Sequence, residues 1–169
     1  MDLRITNVVL RGDLKCLVNL THVLNNVHNA IFNPKKYSGV IWQHRSIKSK
    51  CFLFHTGRIM CMGNSNVHSG KKDLRKYSRI IQKLGYLVTL KDVKVITKSA
   101  VATLSGRLDL HQVSLVLKGY YEPEIFMAVM LKKGNTNFTC FSSGKVVITG
   151  VKKIKPLTTL LMDLEMFTL

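Results

Sequence analysis

Few side chains in this 169-residue chain have the type and spacing for covalent chemistry. The four cysteines, Cys16, Cys51, Cys61 and Cys140, lie among apolar neighbours, with no C-x-x-C pair and no histidine at zinc-ligand spacing. Buried free thiols are the expectation, with disulfides as the alternative. The six histidines, such as His22, His28 and His111, share no pattern, no carboxylate cluster could hold a metal, and no nucleophile stands beside a base. No enzyme, metal or cofactor is therefore expected. What remains is charge and flat apolar surface. There are 26 Lys and Arg against 9 Asp and Glu, a net charge of +17, which calls for a polyanionic partner: DNA, RNA or an anionic membrane surface. Charge alone does not choose among the three.

The positioning elements repeat. Residues 33–63, NPKKYSGVIWQHRSIKSKCFLFHTGRIMCMG, match residues 122–150, EPEIFMAVMLKKGNTNFTCFSSGKVVITG. Pro34 pairs with Pro123, Tyr37 with Phe126, Phe54 with Phe141, Gly57 with Gly144 and Gly63 with Gly150. The two halves run from 3 to 90 and from 91 to 169 within one domain spanning 1–169. The spacing of Leu20, Val23, Leu24, Val27 and Ile31 predicts a helix over 19–31, followed by strands over 39–45, 50–55 and 58–63. Leu74, Tyr77, Ile81 and Leu84 mark a second helix stopped by Gly85. The second half gives a helix over 107–118 stopped by Gly119, strands over 127–132, 136–141 and 145–150, and a last helix with Pro156 in its first turn and Leu157, Leu160, Leu161 and Leu164 as its buried stripe.

The hydrophobic fraction of 46% and a mean hydropathy of +0.11 exclude a disordered basic tail. No apolar run is long enough to span a bilayer and MDLRITN carries no signal-peptide core, so a soluble intracellular protein is expected. Alternation places Ile59 and Cys61 on one face of their strand, and Arg58, Met60 and Met62 on the other. Val146 and Ile148 likewise oppose Lys145, Val147 and Thr149. Helices can cover only one side, so the second apolar face, rimmed by Lys and Arg, reads as a binding surface. The alternative is a sheet buried on both faces.

The blocks NPKKY…F-x-T-G-R…G and Y-E-P-E-I-F…F-S-S-G-K-V-V-I-T-G, joined by R-K-Y-S-R-I-I-Q-K-L-G-Y, resemble the core of the TATA-box-binding protein family. The resemblance runs from Leu3 to Gly150 and fades over the last helix, which it implies is shortened. It implies an α+β saddle, with two pseudo-symmetric repeats forming one curved antiparallel sheet and helices on the convex face. Proteins of this kind kink duplex DNA by wedging apolar side chains between base steps from the minor groove. By resemblance, the wedges are Tyr37, Phe54, Phe126 and Phe141. Phosphate contacts fall to Arg58 and Lys145, each following a turn glycine, and to Lys48, Lys50, Lys132 and Lys133.

The minor-groove set implied is Asn7, Val9, Met60, Met62, Thr97, Ser99, Val147 and Thr149. Here the chain departs from the family. A pair of asparagines is reduced to Asn7, with Thr97 as its counterpart. A pair of threonines is reduced to Thr149, with Met62 opposite, and a pair of valines to Val9, with Ser99. Losing one amide and one hydroxyl should relax or skew the A·T preference that the minor groove offers.

Protein partners are implied as well. Glu122 and Glu124, with Ile125, match the stirrup that docks a factor IIB-like protein. Lys71, Arg75 and Lys76 lie on the basic outer helix that in the family meets a factor IIA-like protein or regulators. A membrane partner is not expected, while a homodimer could cover the apolar face in the free protein. The leading expectation is a DNA-bending general transcription initiation factor that binds A/T-rich duplex and recruits a factor IIB-like protein and RNA polymerase. The alternative is a divergent or viral interaction protein that holds initiation factors with weak or relaxed DNA specificity. The location implied is the nucleus, or a viral replication site if the chain is virus-encoded.

Overall fold

The structure, a computed structural model, describes Met1–Leu169. Thirteen elements follow in order: β1 (Asp2–Asp13), α1 (Leu20–Asn26), β2 (Ala30–Ile31), β3 (Val40–Trp42), β4 (Lys50–Leu53), β5 (Arg58–Asn64), α2 (Val67–Lys83), β6 (Lys91–Thr103), α3 (Leu110–Leu117), β7 (Ala128–Lys133), β8 (Thr136–Phe141), β9 (Lys145–Val151) and α4 (Lys155–Glu165). The fold is α+β, as the sequence predicts. Residues cluster into two compact units, Asn7–Ile96 and Met1–Thr6 with Thr97–Leu169, so β1 and β6 supply residues to both.

In the unit Asn7–Ile96 the strands run β2-β3-β4-β5-β1 with antiparallel pairing. Its core joins Trp42, Cys51, Leu53, Ile59 and Cys61 of the strands to Leu74, Tyr77 and Ile81 of α2, all essentially buried. In the other unit the order is β6-β9-β8-β7. There Phe138, Cys140, Val146 and Ile148 pack with Leu157, Leu160, Leu161 and Leu164 of α4, the stripe that leucine spacing predicts. Each such buried side chain is worth roughly 1.5–3 kcal/mol relative to exposure. No helix is long and apolar enough to cross a membrane. All four cysteines are free; Cys51, Cys61 and Cys140 are buried, while Cys16 is half-buried.

Several boundaries differ from the sequence reading. The helix predicted over 19–31 stops at Asn26. Asn19 caps its start by accepting from the His22 N–H at 3.1 Å, but the Asn26 side chain bonds the His22 carbonyl at 2.7 Å and Asn29 adopts φ 58. Asparagines compete with the helix by bonding nearby backbone. Ala30 and Ile31 then enter β2, leaving Ile31 exposed. The helix predicted over 107–118 begins later, at Leu110, where Asp109 caps it by accepting from the His111 and Gln112 N–H groups, each at 3.1 Å. Lys118, with φ 53, takes the left-handed position that ends the helix, one residue before Gly119. Gly119 is needed for space, because a Cβ there would lie 2.5 Å from Val129 Cγ1 and 2.6 Å from Leu131 Cδ2. Gly85 ends α2 as predicted, with φ 103 and its N–H donating to the Gln82 carbonyl at 3.0 Å. The strands β1 and β6 are additional to those predicted. Bulges between Val8 and Leu10 and between Lys98 and Ala100 break their alternation.

Candidate nucleic-acid interface

The unit Asn7–Ile96 has one face packed on α2 and one left open. Along β4 and β5, Cys51, Leu53, Ile59 and Cys61 are buried, whereas Lys50, Phe52, Arg58, Met60 and Met62 alternate with them on the open side. Register joins the open side into rows: Ile41 opposite Phe52, Phe52 opposite Met60, and Lys50 opposite Met62. Tyr37 closes the outer end, its ring 5.9 Å from Phe52 and 5.7 Å from Phe54. The turn before Tyr37 is fixed by the Asn33 carbonyl, which accepts from the N–H groups of Lys36 and Tyr37 at 3.0 and 2.9 Å.

Asn7, Gln43, Lys48, Lys50, Met62 and Gly63 line a shallow hollow of about 260 Å³. Asn7 Oδ1 accepts from the Gly63 N–H at 2.8 Å, which leaves the two amide hydrogens as donors for an outside acceptor. The loop bearing Lys48 is held from beneath. Asp73 Oδ2 accepts from the Ser49 N–H at 3.2 Å and from Asn64 Nδ2 at 2.8 Å. Tyr77 Oη donates to the Ser49 carbonyl at 2.7 Å and accepts from the His44 N–H at 3.1 Å. Burial pushes the Tyr77 phenol far above its ordinary range, so it stays a donor. Val9, in the β1 bulge, is itself buried.

The other unit repeats the pattern. Val129, Leu131, Phe138, Cys140, Val146 and Ile148 are covered, while Met130 faces Thr139, Thr139 faces Val147 and Val147 faces Val101 across the open side. A second row runs Lys132, Asn137, Thr149. Lys133, one residue on, falls on the opposite face at the strand end, where it is exposed. Phe126 and Phe141 lie 6.1 Å apart at 75°. The Glu122 carbonyl accepts from the N–H groups of Ile125 and Phe126 at 3.0 and 2.9 Å, the same turn that sets Tyr37. Thr97 is half-buried, its hydroxyl donating weakly to the Lys98 carbonyl at 3.5 Å. Ser99 sits in the β6 bulge.

Arg58 and Lys145 follow equivalent turns. Gly57 and Gly144 have φ of 89 and 83, and their carbonyls accept from the N–H groups of Leu14 and Leu104, each at 2.9 Å. A Cβ at either glycine would collide with a backbone carbonyl, of Cys16 and of Gly106 respectively. The ion pairs in the structure join Met1 to Glu165 and Lys15 to Asp13 and Asp92. Arg58, Lys145, Lys48, Lys50 and Lys132 therefore have no carboxylate partner. On α2, Leu74, Tyr77 and Ile81 face the strands, and Lys71, Lys72, Arg75, Lys76 and Arg79 are exposed. Tyr121, Glu122, Pro123, Glu124 and Ile125 line a separate hollow of about 270 Å³, with Ile125 77% exposed.

The open faces also carry Arg11, Ile41, Phe52, Val101, Met130, Asn137 and Thr139, none of which the sequence reading assigned. Alternation along β4 and β8 could have found Phe52 and Thr139. Arg11 and Val101 were hidden by the bulges in β1 and β6.

Comparison with known proteins adds to this geometry. The family described as "Transcription factor TFIID (or TATA-binding protein, TBP)" matches residues 2–84 and 92–163. The chain is 34% identical over 155 residues to TATA-box-binding protein-like 1 of Entamoeba histolytica, covering 89% of this chain and 72% of that one. It is 35% identical over 150 residues to TATA-box-binding protein 2 of Arabidopsis thaliana, covering 86% and 75%. Against TATA-box-binding protein 1 of Triticum aestivum it is 34% identical over 152 residues, 86% of this chain but less than two thirds, 64%, of that relative. Among solved structures, Methanococcus jannaschii TBP superposes with a TM-score of 0.84 at 23% identity, covering 98% of this chain and 97% of that one, which shows the fold. On the match to the family over both halves and the identity to these relatives, the chain belongs to the TATA-box-binding protein family.

Proposed function

We propose that this protein is a transcription initiation factor that binds duplex DNA from the minor groove and bends it. The observation that carries the reading is the open face of each unit: an apolar strip of rows, closed at one end by a pair of aromatic rings and bordered by cations without carboxylate partners. Each pair is a flat apolar wedge for one base step, and the unstacking it costs is offset by the wider contact that a kinked duplex makes. Arg58, Lys145, Lys48, Lys50 and Lys132 supply phosphate contacts that position the protein without reading sequence. Asn7 and Thr149 offer hydrogen bonds to the groove floor. With Thr97 and Met62 in the matching places, A·T preference is expected to be relaxed in comparison with a fully paired site.

Glu122, Glu124 and Ile125 form an exposed acidic and apolar tip on an otherwise basic chain. Acids beside DNA repel phosphate, so their presence favours a protein partner, here a factor IIB-like protein, with work in the nucleus. The test is a bending and binding assay on random duplexes. Replacing Tyr37, Phe54, Phe126 and Phe141 together with Ala should abolish bending, and no change in bend or affinity would sink the mechanism. Changing Glu122 and Glu124 to Arg should leave DNA binding intact while ternary assembly with the factor IIB-like protein fails.

A further inference from the structure

Arg11 of β1 stands opposite Met60 of β5, which stands opposite Phe52 of β4, which stands opposite Ile41 of β3. These four make one row across the open face of their unit. The flanking residues of β1, Leu10 and Gly12, pair with the buried Cys61 and Ile59, so alternation puts Arg11 on the open side, where it is half-buried. Three members of the row are apolar and the fourth is a guanidinium. The matching row of the other unit, Met130, Thr139, Val147 and Val101, ends in valine at this position.

No ion pair involves Arg11. The carboxylate two residues along its strand, Asp13, is already taken, accepting from the Lys15 N–H at 2.7 Å and lying 3.7 Å from Lys15 Nζ. A half-buried guanidinium opposite Met60, with no ion pair, has donors left for an outside acceptor. It also lies one row inside the pair Asp13 and Arg58 at the strand end, past the place suited to phosphate.

We infer that Arg11 is a sequence-reading residue whose guanidinium donates to the purine N3 and pyrimidine O2 acceptors on the minor-groove floor. A·T steps favour it because a G·C pair adds the guanine N2 amino donor to the groove floor, where it crowds and repels a guanidinium. The unit Asn7–Ile96 thereby imposes an A·T requirement on the steps under this row, and the unit with Val101 does not. Part of the selectivity lost at Thr97 and Met62 is regained at a new position, on one half-site only. The inference rests on the minor-groove reading above.

The experiment is base selection from random duplexes by the full chain, by Arg11→Val and by Val101→Arg, with affinity for one A·T-rich duplex at two salt concentrations. The wild type should select an asymmetric site, A·T-restricted in one half. Arg11→Val should lose about tenfold of A·T over G·C discrimination there and nowhere else, and Val101→Arg should add a restriction in the other half. A wild type that binds no duplex overturns the DNA reading itself. A wild type that binds, with Arg11→Val keeping the same preferences, overturns the role of Arg11 and leaves that reading standing. So does a uniform loss across sequences with a shallower salt dependence, the behaviour of a phosphate contact. Valine already occupies the matching place in β6, and a thermal melt of both variants distinguishes misfolding from lost selectivity.

Discussion

The ring of Tyr37 lies 5.7 Å from that of Phe54 and is tilted by 60° to it, so the edge of one ring meets the face of the other. Phe126 and Phe141 reproduce the relation at 6.1 Å and 75°. Such pairs prefer an edge-on approach because the ring rim is positive and its face negative. Both pairs sit at the end of an open face, where they contribute little to the core. Phe54→Ala or Phe141→Ala is therefore expected to weaken duplex binding about 10–100-fold, the loss of one unstacking wedge, with the melting temperature shifted by only about 2 °C. Tyr37→Phe should bind and bend like the wild type. A melting temperature that collapses in Phe54→Ala would make the ring part of the core instead.

The repeat made much of this legible. Equivalent prolines, glycines and aromatic residues in the two halves already paired Tyr37 with Phe126 and Phe54 with Phe141, and the alternation of Met60 and Met62 with Cys61 already separated the open face from the covered one. Arg11 and Val101 stayed hidden because a bulge inserts a residue and reverses the alternation that would have shown them. The end of α1 was missed for a different reason. Leu24, Val27 and Ile31 keep helical spacing, but Asn26 and Asn29 bond the backbone on their own account and override it. Asp73, whose charge looks like surface in α2, could be read as the anchor of the Lys48 loop only once Ser49 and Asn64 were brought to it.

Asn7 is oriented by the Gly63 N–H, which donates to its side-chain oxygen, so an aspartate in its place would keep the acceptor and lose both outward donors. Asn7→Asp is expected to fold normally and to bind duplex about 10–100-fold more weakly, from lost donors and added repulsion by phosphate. Thr97→Asn should sharpen A·T preference in the opposite half-site. Competition binding with A·T- and G·C-rich duplexes reads both. Unchanged affinity in Asn7→Asp would place this side chain outside the interface.

Thiol chemistry reports on the covered faces. Burial pushes the Cys140 thiol up to about 12 and Cys51 well above the usual thiol range, with Cys61 beside Cys51 adding to the effect. Cys61 is itself buried. Only thiolates react with alkylating and disulfide reagents; burial, with Asp13 nearby, raises the half-buried Cys16 thiol as well, so native protein near pH 8 should label slowly and through Cys16 alone. The other three should react after denaturant is added. Mass spectrometry of the labelled chain locates each adduct, and fast native labelling at Cys51 or Cys140 would contradict their burial.

Glu165, at the end of α4, fixes the turn after β6. It accepts from the Ser105 hydroxyl at 2.5 Å and from the Ser105 N–H at 3.2 Å, and these bonds, the hydroxyl first, hold its carboxyl below the ordinary value of 4.5. A carboxyl depressed in the folded state adds stability that is fully present above its unfolded value and is lost as the pH falls through its folded value. Glu165→Gln retains an acceptor and loses only the charge, so at pH 7 it should melt about 2–4 °C lower, the shift that about 1 kcal/mol gives a domain of this size. The gap should begin to narrow just below pH 5 and close once the folded carboxylate is protonated. Parallel melts from pH 7 to pH 3 measure it, and a gap independent of pH would assign the effect of Glu165 to packing, not to its charge.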